Sequence, residues 1–215
     1  MNGEVHLPVG TATATGMALL LPQMQGHNLT TLGVGIGLAA VGALLPDIDA
    51  NGDSKAKKQF RKIMGMIAGA VGLSVVYGAS TGNVASVITA YTGSTWFIGA
   101  VCMLTCCILG YRSGHRKYTH QLIGLVTFTV SCWLLIGLPL TYWFFFGFLS
   151  HQVVDMLNKR KIEWLYPIPK DFALYICYAK SPLATLIGWV STALTVLFIL
   201  MNMGINPIKL ILQMV

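Results

Sequence analysis

Four short stretches hold the residue types with chemistry to offer: His6 in EVHLPVG, Asp47 and Asp49 in LLPDIDANGD, His115 and His120 in GHRKYTH, and His151 and Asp155 in FLSHQVVDML. Imidazole and carboxylate together suit zinc and, less specifically, manganese or iron. His151 and Asp155 are spaced i and i+4, one helical turn apart on the same stripe, so both can face one ion. Asp47 and Asp49 follow Pro46, where a helix is expected to end; in a turn or extended backbone their carboxylates can hold one cation or bridge two. His115 and His120 are five residues apart, about 140° around a helix, and cannot share a helical face. A loop is needed, and Thr119 is the expected N-cap, leaving His115 in the loop and His120 in the first turn of the next helix. That helix start, with Arg116 and Lys117 beside it, offers N–H groups and positive charge to an anion such as phosphate.

Seven such side chains, at three or four protein ligands per catalytic ion, supply two ions more comfortably than one. Two zinc ions are the expectation, with manganese or iron as substitutes. A pair about 3.5–4 Å apart activates water near neutral pH and clamps a phosphoryl oxygen, so hydrolysis is the reaction class expected. Each fragment alone has an ordinary explanation. An HxxxD pair is commonplace, a DxD after proline is often only a helix-ending turn, and a histidine at a membrane interface is usually a polar tip among headgroups, which is how His27 is read. Asp53 reads as a cap or a partner for Lys55. What favours the metal reading is the placement of all three constellations on one face.

That placement follows from the elements. The chain has 215 residues, of which 55% are hydrophobic and 10% charged, and its mean hydropathy is +0.69. This is a membrane composition, and backbone groups in lipid must be satisfied within each segment, so the fold class expected is all-α, a polytopic helical protein. Seven spans are read at about 7–22, 29–46, 63–80, 91–110, 120–136, 140–157 and 183–203. The first is short for a hydrocarbon core of about 30 Å, which makes six spans the rival. No removable signal peptide is expected. Of the 14 basic residues, only Lys209 departs from a pattern in which Lys and Arg follow the second, fourth and sixth spans. Basic loops remain cytoplasmic, so the N-terminus is expected inside and the C-terminus outside. The net charge of +7 then reads as a topology signal, with attraction to anionic headgroups, and no nucleic-acid partner is expected. His6, the aspartate pair, GHRKYTH and the end of the sixth span all fall on the cytoplasmic side.

Residues 1–215 read as one integral membrane domain, with 158–182 as a cytoplasmic or interfacial segment whose Trp164, Tyr166 and Tyr175 suit an anchor or a lid. The cysteines, Cys102, Cys106, Cys107, Cys132 and Cys177, show no CxxC spacing and support neither a disulfide framework nor a zinc ribbon. GxGxG at 33–37 and the small residues around 65–72 read as close helix packing.

The series EVHLPVG, LLPDIDANGDS, GHRKYTHQL, GFLSHQVVDML and LYPIPK resembles the bacterial family described as LexA-binding, inner-membrane-associated hydrolases, also called membrane-bound metal-dependent hydrolases. The resemblance covers roughly residues 3 to 170. That family is in turn similar to the helical zinc-dependent phospholipase C and P1 nuclease group, whose clustered zinc ions with His and Asp ligands cleave phosphate esters. The resemblance implies His6, Asp47, Asp49, His115, His120, His151 and Asp155 as metal-site positions, with Arg116 and Thr119 as companions. Two positions depart from the family pattern: Ala50 stands where a histidine usually follows the second aspartate, with Asn51 or Asp53 as substitutes, and Lys117 stands where a glycine usually follows the arginine.

A site at a membrane face, floored by apolar helix ends, suits a molecule with a greasy tail and a phosphate head. The expectation is a metal-dependent lipid phosphoesterase of the bacterial inner membrane with its site facing the cytoplasm. Asp47 or Asp49 would bridge the metals and accept a proton from water, and Arg116 would hold phosphate. His6, His115, His120, His151 and Asp155 would bind the metals, with His120 also counted as catalytic. Two other classes are weighed against it. One is a docking or regulatory protein with a structural metal and a protein partner; the other is a divalent-cation transporter, which would need ionisable residues at mid-membrane depth.

Overall fold

The computed structural model describes residues 3–25, 29–49, 76, 80–82, 95–159, 161–168, 171–176, 178 and 181–205. Six long helices run through them: α1 (Gly3–Leu20), α2 (Leu29–Leu44), α3 (Thr95–Arg112), α4 (Leu122–Ile136), α5 (Leu138–Met156) and α6 (Pro182–Asn202). The span expected at 63–80 lies almost wholly outside the described residues, as do His27, Ala50, Asn51, Asp53, the small residues around 65–72 and Cys177. The other four cysteines are free thiols.

Among the described residues, three stretches are long and apolar enough to cross a membrane, Leu29–Asp49, Thr95–Arg112 and Pro182–Asn202, while Val5–Leu20 and Leu122–Ile136 are apolar but shorter. Local chemistry sets the boundaries. Pro46 has no N–H to continue the α-helical ladder, and α2 passes into a 3-10 turn, Leu45–Asp49. Gly137, at φ 82°, joins α4 directly to α5 in a backbone region that L side chains avoid. Ser181 caps α6, its hydroxyl accepting from the Ala184 N–H at 3.1 Å, with Pro182 in the first turn. One boundary differs from expectation in a way that matters: α1 begins at Gly3, so His6 lies inside the helix rather than ahead of it.

α5 is the hub, packed against α1, α2 and α4, with α3 against α4 and α6 against α1. A Cβ on Gly147 would come 2.1 Å from the Ala39 carbonyl, and one on Gly42 would come 2.3 Å from the Phe144 carbonyl, so α2 and α5 meet backbone to backbone. Trp143 fills the space at Gly35, whereas a Cβ on Gly33 or Gly37 would meet no described residue within 4 Å, so among the described residues the GxGxG run packs through its central glycine. Phe128, Phe144 and Phe148 form the buried layer towards α4. Polar bonds tie α6 to α1: the Thr11 and Thr195 hydroxyls meet at 3.1 Å, and Asn202 Nδ2 donates to the Thr15 carbonyl at 3.1 Å. Outward-facing positions are apolar, among them Trp133, Leu186, Trp189 and Val196. After α5 the chain folds back on itself through an antiparallel bridge between Ile162 and Phe172, with N–O distances of 3.0 and 2.9 Å.

Candidate metal centre

Four pieces of chain meet at one end of the helices: the first turns of α1, the 3-10 turn Leu45–Asp49, the connection 113–120 and the last turns of α5. Together they join all seven residues singled out from the sequence into one contact cluster. α5 presents His151 and Asp155 one turn apart, with His151 Nε2 4.0 Å from Asp155 Oδ2. His6 stacks on His151 with ring centroids 3.8 Å apart and sets its Nε2 3.4 Å from Asp155 Oδ1. His120 Nε2 is 3.2 Å from His151 Nε2 and 3.1 Å from Asp155 Oδ2. Asp47 Oδ1 lies 3.7 Å from His151 Nε2. The three imidazoles are wholly buried.

Protonation is readable from partners. A carbonyl can only accept, so the 2.7 Å contact between His151 Nδ1 and the Ala43 carbonyl puts the proton on Nδ1 and leaves the Nε2 lone pair facing the cluster. His120 is held at both nitrogens, by Asp49 Oδ2 at 3.0 Å on Nδ1 and by Asp155 on Nε2. Burial works against its charged form, but the hydrogen bonds with Asp155 and Asp49 outweigh it and raise this imidazole to about 9.

Two triads of donor atoms form within this arrangement, each mutually within 4.8 Å: His6, His151 and Asp155, and Asp47, His120 and His151. Donors at about 2.0–2.2 Å from a tetrahedral ion stand about 3.3–3.6 Å from one another. The separations of 3.1, 3.2, 3.4, 3.7 and 4.0 Å bracket that value. Three imidazoles and two carboxylates gathered in a largely buried volume are held by mutual contacts and by the Arg116 guanidinium on Asp155, and their donor chemistry fits a divalent cation.

Asp49 and His115 stand apart from both triads. Asp49 Oδ1 meets His115 Nδ1 at 2.8 Å, while Oδ2 accepts from the Arg116 N–H at 2.9 Å, Thr119 Oγ1 at 2.7 Å and His120 Nδ1 at 3.0 Å. The expected capping role of Thr119 is corrected: Gln121 is the N-cap of α4, without a side-chain bond, because the Thr119 hydroxyl is committed to Asp49. His115 does sit in the connection, and His120 closes a 3-10 turn, Tyr118–His120, ahead of α4. Arg116 adopts φ 68° and brings Nη2 to 3.3 Å from Asp155 Oδ2.

Sequence reasoning missed Gln152. It is fully buried, donates Nε2 to the Thr119 and Gln121 carbonyls at 3.1 and 3.0 Å, and accepts from Trp164 Nε1 at 2.9 Å. The Trp164 carbonyl in turn accepts from the Leu122 N–H at 2.8 Å, so the segment after α5 is bonded to the start of α4, directly after the turn that carries His120. A glutamine between the two ligand-type residues of SHQVVD was the available signal.

Apolar helices enclosing a buried imidazole–carboxylate cluster at one end define a helical membrane protein with a candidate metal centre. The family model described as YdjM inner membrane protein matches residues 1–213, and the chain belongs to that family. No curated protein and no solved structure matches it. Family and apolar helices together make it an inner-membrane protein.

Proposed function

We propose that this protein is a metal-dependent hydrolase acting on the phosphate ester of a lipid at the membrane face. The observation that carries the reading is the meeting of His6, His120, His151, Asp155 and Asp47 in two largely buried donor triads that share His151. These five side chains are the donors available to an ion. His151 belongs to both triads and has a single free nitrogen, which favours one ion over the two that the stock of ligand types allows. Zinc suits the donors best, with manganese or iron as substitutes. A bound cation supplies Lewis acidity and lowers the pKa of water. Asp47, whose side chain is 19% exposed, is the carboxylate placed to take a proton on the open side. Arg116, partly exposed beside Asp155, is placed to hold a phosphate oxygen with its guanidinium.

The single-domain, seven-span reading with the site in the cytoplasm belongs to the same proposal. The basic residues favour that side. α2 and α3 both end at the site, where a Cβ on Gly110 would meet Thr119 and Ile48, an arrangement that the span expected at 63–80 accounts for. A second reading, a structural ion in a docking protein, is favoured by the complete burial of the three imidazoles.

The test is hydrolysis by purified protein, with zinc or manganese, of phospholipids, lysophospholipids, phosphatidate and polyprenyl phosphates in nanodiscs. Product release that disappears in His120→Ala and Asp155→Asn supports the enzyme. A bound ion without turnover on any of these lipids supports the structural reading.

A further inference from the structure

We infer that Asp49 is a positioning residue, an outer carboxylate that aims His120 and Arg116 at the ion-binding cluster without binding the ion itself. The inference rests on the metal reading above and deepens it. Asp47 and Asp49 share one 3-10 turn, and at about three residues per turn, positions i and i+2 point about 120° apart. The two carboxylates therefore diverge: Asp47 faces His151, and Asp49 faces the connection 113–120.

A carboxylate has about four lone-pair sites. Asp49 meets four donors at 2.7 to 3.0 Å, from His115, Arg116, Thr119 and His120, and its exposure is 2%. Three of the four crowd Oδ2, the oxygen that meets His120, so an ion could reach that oxygen only by displacing a donor. Each contact has a consequence at the cluster. The contact with His120 Nδ1 places that proton outward and turns Nε2 towards His151 and Asp155. Metal-binding histidines are oriented in this way by a carboxylate on the far ring nitrogen. The contact with the Arg116 N–H holds a non-glycine residue in the left-handed region, the conformation from which its guanidinium reaches Asp155. One buried side chain thus fixes a would-be ligand and a would-be phosphate anchor that lie four residues apart on the same connection.

The experiment titrates the detergent-solubilised full chain with cobalt(II), reading the visible absorption band for the ligand set and competition with a chelator for affinity. Asp155→Asn serves as the control for a lost ligand. Asp49→Asn, at wild-type helical content, is expected to keep the wild-type band and to bind about 10–100-fold more weakly. Thr119→Val removes one donor to the same carboxylate and touches no ion-facing atom; it is expected to shift affinity in the same direction by less, and it stands in if Asp49→Asn does not fold. A band altered by Asp49→Asn as it is by Asp155→Asn would make Asp49 a ligand and overturn the inference while leaving the metal reading intact. Wild-type affinity in Asp49→Asn, or in Thr119→Val where that variant stands in, would also overturn it. A wild-type chain that takes up no cobalt would remove the metal reading, and this inference with it.

Discussion

One helical turn separates two kinds of contact between α2 and α5. At Gly147 the helices touch through the Ala39 carbonyl with no room for a Cβ. Four residues further along both helices, the Ala43 carbonyl meets the His151 imidazole at 2.7 Å. The first contact is one of shape between apolar backbones; the second is a directed hydrogen bond that sets a tautomer. The comparison shows that they depend on each other. The close approach allowed by glycine is what brings a main-chain carbonyl within reach of the histidine, so packing in the apolar half dictates the protonation of a would-be ligand in the polar half.

Breaking the first contact should have the largest effect. Gly147→Val places side-chain atoms against a backbone that cannot yield, and overpacking of this kind costs about 1–3 kcal/mol or more. The expected outcome is loss of monodisperse, helical protein in detergent, while Gly37→Ala, where a Cβ meets no described residue, leaves yield and thermal unfolding unchanged. Survival of Gly147→Val with normal ion binding would separate the two contacts. Gln152→Leu attacks the polar half alone. It strips partners from the Thr119 and Gln121 carbonyls and from the Trp164 indole, at about 1–3 kcal/mol for buried groups left unpaired, measurable as a lowered unfolding midpoint.

The protonation of His120 sharpens the comparison further. Its folded-state value of about 9 lies above the ordinary histidine value of about 6.5, so its stabilising contribution to the ion-free protein is full below about pH 6.5 and is lost as pH rises through about 9. A ligand nitrogen must be deprotonated, so zinc binding near neutral pH should release about one proton more in wild type than in His120→Gln. Calorimetry in buffers of different ionisation enthalpy measures that difference, and equal proton release in the two proteins would count against His120 as a ligand. The smallest effect belongs to the bonds between α1 and α6: Thr11→Val should cost about 0.6 kcal/mol in unfolding free energy and leave ion binding untouched.

How far the site was legible depended on whether local geometry is fixed by the chain itself. The all-helical membrane class followed from composition. The facing of His151 and Asp155 followed from a covalent spacing that any α-helix converts into one stripe. The divergence of Asp47 from Asp49 did not follow, because a turn and an extended strand rotate successive side chains differently, and only the 3-10 geometry after Pro46 separates them. Thr119 has the composition of an N-cap, yet a buried carboxylate from another element claimed its hydroxyl. Hydropathy places His6 ahead of a helix, because the apolar run begins later than the helix, which starts at Gly3. The Ala43 carbonyl left no trace, since every residue carries one and only the close packing of α2 on α5 selects it.

Metal content per chain in purified wild-type protein, set beside His151→Ala prepared in the same way with zinc present, bears most directly on the convergence of imidazoles and carboxylates at the end of α5. A single ion per wild-type chain, lost in His151→Ala while helical content is retained, is the predicted result. Wild-type protein without stoichiometric metal, or a His151→Ala variant that retains it in full, would contradict the assignment of this cluster as a metal centre.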